Sequence, residues 1–157
     1  MLVLTRKIGG RVVLPDDGEA SKAIRVLIAD HDEALLACYR ESLEAEGFRV
    51  RTATNAVEFL TKLRRWLPDA IVLEPYLPGG ASRRTVRALR RCAHVPPTPV
   101  LIHSSQPNAP ARLEFPICGY EVRPLRPEQL ATRVRELLRR FKSLSARKGR
   151  QPAKADR

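Results

Sequence analysis

The chain has 157 residues, 43% of them hydrophobic, and a formal net charge of +12 at neutral pH. That length suits one core with modest extensions and leaves no room for a second large domain. The longest apolar runs are only a few residues, too short to span a membrane, and the N-terminus lacks the basic-then-apolar layout of a signal peptide. We therefore expect a cytoplasmic protein with no membrane partner. Cys38, Cys92 and Cys118 are odd in number and widely spaced, which fits neither a disulfide framework nor a zinc site, so reduced and mostly buried thiols are expected. The positive charge favours acidic partners, nucleic acid among them. Few aromatics are interleaved with the basic residues, however, and a single-strand stacking platform is not indicated.

Residues 2–5 and 11–14 alternate loosely as two short β-rich runs around Gly9-Gly10, which supply positive φ for a hairpin. Two strands alone are marginal, so they dock, join a partner's sheet or stay loose. Residues 15–22 read as a polar linker. From Ile24 onward strands alternate with helices, the pattern of right-handed βαβ units and a parallel sheet covered on both faces. The first strand, 25–29, ends at Asp30-His31-Asp32; a helix follows with Leu36, Tyr39 and Leu43 on one stripe, and Gly47 stops it with a left-handed cap. Asp32 at the helix start reads as an N-cap. Residues 48–53 alternate as a second strand, and Asn55 with Glu58 three residues on is a capping-box-like start to a helix buried through Leu60, Leu63 and Leu67.

Residues 69–80 carry the most information. Pro68-Asp69 is followed by the apolar run Ala70-Ile71-Val72-Leu73, then Glu74, then the Pro/Gly-rich loop Pro75-Tyr76-Leu77-Pro78-Gly79-Gly80. This is a buried parallel strand delivering one carboxylate to the mouth of a sheet. An arginine-rich helix over 82–93, strands over 100–103 and 120–123, and a last helix opened by Pro127, with Leu130, Val134, Leu137 and Phe141 inward, complete the pattern. The domain organisation expected is a hairpin and linker over 1–22, one α/β domain over 23–141 and a basic disordered tail over 142–157.

An acid after the first strand, an acid after the third, a small hydroxyl after the fourth and a basic-proline pair after the fifth resemble the response-regulator receiver domain. The motifs are Val26-Leu27-Ile28-Ala29-Asp30, Pro68 through Glu74, Leu77-Pro78-Gly79, Pro99-Val100-Leu101-Ile102-His103-Ser104 and Tyr120-Glu121-Val122-Arg123-Pro124. The resemblance spans 24–141 and implies an α/β, flavodoxin-like, doubly wound parallel sheet of order 2-1-3-4-5. It places Glu74 at the phosphoacceptor position, Asp30 and His31 at the acidic pair, and Ser104 and Tyr120 at the switch hydroxyl and aromatic. It also places Arg123 at the family's lysine position and implies that the bond from Arg123 to Pro124 is cis.

Three positions depart from that pattern, and they point the same way. Glutamate adds a methylene and moves its nucleophilic oxygen by on the order of 1 Å, a displacement to which in-line phosphoryl transfer is sensitive. His31 removes a hard oxygen ligand where Mg²⁺ takes octahedral oxygens, so Asp30 and Glu74 would hold at most a weak Mg²⁺, and no cofactor is expected. Arg123 offers a planar fork suited to pairing with a carboxylate. The expectation is a degenerate receiver, non-catalytic, with a standing Glu74–Arg123 ion pair and a protein partner such as a histidine kinase or a downstream effector. A conventional phosphorelay receiver is the first alternative.

The second alternative is a nucleic-acid-binding regulator. Met1-Leu2-Val3-Leu4-Thr5-Arg6-Lys7-Ile8-Gly9 with Asp16-Asp17 is similar to the start of the carbon-storage-regulator family of RNA-binding proteins. That resemblance implies RNA contact at Leu4, Arg6 and Lys7, with Lys7 where an arginine is usual. It covers residues 1–17 only, and the later strands that such a site needs are missing. Between the fourth and fifth strands, Pro107, Pro110 and Pro116 leave at most a short turn of helix, so the family's fourth helix is expected to be shortened or lost. His31, His94 and His103 are too scattered for a metal cluster, and His103 reads as a satisfied strand-end residue.

Overall fold

The computed structural model describes residues 22–79, 96–104, 118–122 and 125–148, and within 118–122 it describes the backbone and Gly119. The strands are β1 (Arg25–Ala29), β2 (Arg49–Ala53), β3 (Ala70–Leu73), β4 (Val100–Ser104) and β5 (Cys118–Val122). They form one parallel sheet of order β2-β1-β3-β4-β5. The described helices are α1 (Glu33–Ala45), α2 (Ala56–Trp66) and α3 (Pro127–Lys148). This is the doubly wound flavodoxin-like order that the receiver resemblance implies.

The inner strands β1, β3 and β4 are buried on both faces, which is why they are largely apolar runs, whereas the edge strand β2 alternates and exposes Arg49 and Arg51. Side chains alternate between two cores along each strand. Val26, Ile28, Val50, Val72 and Leu101 pack under α1 and α3, against Leu36, Tyr39, Leu43, Leu130, Val134 and Leu137. Leu27, Ala29, Ile71, Leu73 and Ile102 pack under α2, against Phe59, Leu63 and Trp66. With both faces occupied by carbon, the buried polar groups among the described residues gather at the carboxyl ends of the strands.

Local signals set the helix limits. Asp32 caps α1 by accepting the Leu35 N–H at 3.0 Å, as expected. Gly47 follows at φ 89°, with its N–H bonded to the Glu44 carbonyl. Asn55 accepts the Glu58 N–H at 2.9 Å, and Glu58 Oε2 reaches back to the Thr54 N–H at 2.9 Å. The Lys62 ammonium on Glu58 is the largest influence holding that carboxyl below its ordinary range.

Several expectations are corrected. The buried stripe of α2 is Ala56, Phe59, Leu63 and Trp66, with Leu60 at its margin. Leu67 lies outside the helix as its left-handed C-cap at φ 50°, where Pro68 forbids continuation. Strand β5 begins at Cys118, two residues earlier than alternation suggested. Gly119 lies within this earlier start, close to the core: a Cβ there would lie 2.8 Å from Leu101 Cδ1, so a larger residue would require Leu101 to shift. The last helix runs through Lys148, beyond the tail boundary placed at Lys142. Extending a formed helix costs far less than nucleating one, and 142–148 contains no glycine or proline. Phe141 is half-buried. Cys38 is exposed, because it lies off the Leu36-Tyr39-Leu43 stripe. The hairpin and linker expected before Lys22, the arginine-rich helix expected over 82–93 and the proline-rich crossing expected before Cys118 lie outside the described residues.

Candidate functional site

Three strand ends meet at the carboxyl edge of the sheet. The pairing of β1 with β3 continues one step past both strands, where the Glu74 N–H bonds the Ala29 carbonyl at 2.9 Å. Asp30 is bonded through its own N–H to the Ala53 carbonyl at 3.0 Å. Parallel register therefore places Asp30 and Glu74 on adjacent strand ends, and β4 adds Ser104 beside them. Asp30 is 2% exposed, Glu74 3% and Ser104 0%. Together with His103, which β4 turns into the core under α1 and α3, they are the buried polar residues among those described.

Their hydrogen bonds are specific. Asp30 Oδ1 accepts the Asp32 N–H at 2.9 Å, which folds the loop after β1 back on itself. Glu74 Oε1 accepts the Tyr76 N–H at 3.1 Å and the Ser104 hydroxyl at 3.3 Å. Burial pushes the Glu74 carboxyl above its ordinary pKa, opposed by the Tyr76 N–H, the Ser104 hydroxyl and the nearby His31. His31 itself projects outward, with its side chain 54% exposed and Nδ1 at 3.6 Å from Asp30 Oδ1. The position expected to complete an acidic pair thus presents a half-exposed imidazole.

A divalent ion of the Mg²⁺ type asks for a shell of oxygens. Here the acidic pair supplies one carboxylate and one imidazole, and the third donor is a carboxylate whose Oε1 already accepts two hydrogen bonds. Among the described residues no three His, Cys, Asp or Glu side chains are grouped to hold a metal ion. This donor set does not fit Mg²⁺.

Beside the site lies a buried relay that periodicity presented only as core. Tyr39, 1% exposed on α1, points its hydroxyl at the Leu125 carbonyl, 2.8 Å away. Its oxygen is also 3.2 Å from Nε2 of His103, itself 2% exposed. A phenol has one proton, and it is spent on Leu125. His103 is therefore the donor, which assigns the neutral Nε2–H tautomer. Burial pushes the tyrosine pKa up to about 12, with Cys38 adding to it, and holds His103 below its ordinary value. His103 is a satisfied strand-end residue, as expected. The signal for Tyr39 was available: a tyrosine in an apolar stripe needs a partner for its hydroxyl.

Tyr120 pairs with Ile102 in the sheet, which places its backbone in β5. Its side chain, Arg123 and Pro124 lie outside the described residues, as do Leu4, Arg6 and Lys7.

A five-stranded parallel sheet of this order, with acids ending β1 and β3 and a hydroxyl ending β4, defines the receiver class of signalling domain. The family model for the response regulator receiver domain matches residues 26–135, and the chain belongs to that family. It is 38% identical over 117 residues to the transcriptional regulatory protein PrrA of Mycobacterium tuberculosis, covering 74% of this chain and 50% of that protein. It is 31% identical over 121 residues to the phosphate regulon transcriptional regulatory protein PhoB of Rhizobium meliloti, covering 75% of this chain and 53% of that protein. The chain thus spans about half the length of these relatives.

Among solved structures, a putative response regulator from Chloroflexus aurantiacus matches with a TM-score of 0.66 at 26% identity, covering 75% of this chain and 99% of that one. A CheY-like receiver domain protein from Methanospirillum hungatei matches with a TM-score of 0.68 at 23% identity, covering 78% and 99%. The latter shows the shared fold alone.

Proposed function

We propose that this receiver domain serves two-component signalling as a protein-interaction module whose shape is set without phosphorylation, and that it performs no catalytic turnover. One observation carries the reading: the acceptor position holds Glu74, buried and engaged through Oε1 with the Tyr76 N–H and the Ser104 hydroxyl. The carboxylate is one methylene longer than aspartate, so its oxygens lie farther from the strand end. In-line transfer loses efficiency steeply when the nucleophile is misplaced by about 1 Å. The histidine at the acidic-pair position supports the same reading, since phosphoryl transfer relies on metal ions to neutralise the developing charge.

In this reading Glu74 and Arg123 form a standing ion pair that partly imitates the phosphorylated state, with Ser104 already drawn to the carboxylate. Asp30 and His31 keep their places without holding a functional metal. The partner is a histidine kinase or a downstream effector, and the setting is the cytoplasm. Among the described residues no helix is long and apolar enough to cross a membrane.

The test is to incubate the full chain with acetyl phosphate and Mg²⁺ and to read its intact mass. The expected result is no gain of a phosphoryl group. A stoichiometric gain mapping to Glu74 or Asp30 would overturn the proposal and establish a conventional phosphorelay receiver.

A further inference from the structure

The opposite, amino edge of the sheet carries a second feature that the receiver reading leaves unused. A cleft of about 630 Å³ opens there between the segment leading into β1, the turn before β3 and the distal half of α3. Asp69 lies just before β3 and Glu74 just after it, so the length of a strand, roughly 16 Å, separates this cleft from the acceptor pocket. The two are independent sites at opposite ends of one sheet.

The cleft is amphipathic. Ile24, 36% exposed, and the partly buried Leu138 give it an apolar lining. Lys22, Arg139 and Lys142 are exposed along its sides. The other two charged residues in the lining are already committed. Asp69 accepts the Arg25 N–H at 2.8 Å and pairs with its guanidinium at 3.4 Å. Arg135 pairs with Glu46 at 3.0 Å and also bonds the Glu46 carbonyl. Among the described residues no carboxylate pairs with Lys22, Arg139 or Lys142, so the lining presents three uncompensated cations around carbon.

We propose that this amino-edge cleft docks an acidic amphipathic helical segment of a partner protein, its apolar side chains on Ile24 and Leu138 and its carboxylates on Lys22, Arg139 and Lys142. Charge complementarity selects the occupant. An apolar helix leaves the three cations facing carbon, and a basic one is repelled. The volume falls within the range that holds compact ligands and takes a few side chains from one helix face. Nucleic acid is disfavoured, because the lining offers aliphatic groups where single strands use aromatic stacking. The proposal goes beyond the preceding reading, since it holds whether or not Glu74 accepts a phosphoryl group.

The experiment uses the full chain and fluorescence anisotropy of a labelled helical peptide with leucines at i and i+4 flanked by glutamates. Binding is expected, with affinity reduced about tenfold or more by Arg139→Glu combined with Lys142→Glu. Lys22→Glu, on a separate segment, reports the same effect should the double variant fail to fold. A peptide of equal charge with serine in place of leucine is expected to lose most of the affinity, and so is Ile24→Ser against the leucine peptide. Three results would each overturn the proposal: unchanged affinity in the charge-reversed variants, equal binding of the serine peptide, or tighter binding of oligothymidine than of the leucine peptide through the same residues.

Discussion

Tyr39→Phe tests the relay that ties α1 to the chain leading into α3. The substitution keeps the ring, so the core around Leu36 and Leu130 loses no volume. It removes one hydroxyl that serves two buried groups, the Leu125 carbonyl at 2.8 Å and the His103 Nε2–H at 3.2 Å. A net hydrogen bond is worth only about 0.5–1.5 kcal/mol, but each buried group left without a partner costs about 1–3 kcal/mol. Two such groups give an expected loss of about 2–6 kcal/mol, a large share of the roughly 5–15 kcal/mol that holds a typical domain. Urea unfolding followed by circular dichroism reads this as a midpoint lower by roughly 1–3 M at unchanged slope. His103→Leu removes one of the stranded groups, so the double variant should cost less than the sum of the singles. A loss below about 0.5 kcal/mol for Tyr39→Phe, the scale of an exposed substitution, would refute the relay.

The same network predicts a pH dependence. Burial holds folded His103 below the ordinary imidazole value of about 6.5, so its contribution is fully present above that pH and is lost as pH falls through it toward the folded value. Urea midpoints measured from about pH 7.5 down to about pH 5.5 should fall, and His103→Gln should flatten that fall; an unaltered slope in the variant would assign it to other groups. Gly119→Ala is expected to destabilise by about 1–3 kcal/mol, since its Cβ would meet Leu101 Cδ1 at 2.8 Å and Leu137 Cδ1 at 3.4 Å in a filled core. Adding Leu101→Val should recover part of the loss, and a midpoint matching the parent protein for Gly119→Ala alone would show that the strand has room to spare. Finally, His31→Asp, Glu74→Asp and Arg123→Lys together should restore labelling by acetyl phosphate with Mg²⁺, while Glu74→Asp alone remains weak. A triple variant that stays unlabelled would place the block elsewhere in the domain.

Elements whose signals are short-range were legible from the residues alone. Asp32, the Asn55–Glu58 pair and Gly47 act on neighbours within four residues, and each sits in the structure where its chemistry demands. The stripe of Leu36, Tyr39 and Leu43 was equally plain, because one helical period determines one face. Alternation made the sheet parallel with right-handed crossovers, while its strand order and the places of Asp30, Glu74 and Ser104 at strand ends came from the motifs that resemble the receiver family.

What tertiary structure alone decided concerns contacts between residues far apart in the chain. The face of α2 turned on which side met the sheet, so Phe59 and Trp66 are buried while Leu67 leaves the helix. The start of β5 turned on its pairing with β4, which takes in Cys118 and Gly119 although strand propensity scores a glycine as a defect. Tyr39 bonds partners 64 and 86 positions away, and no local pattern encodes such a pair. The amino-edge cleft exists only because α3 lies against the entry to β1, where distant residues share one surface. Periodicity and capping are properties of a few consecutive residues, whereas convergence is a property of the packed sheet.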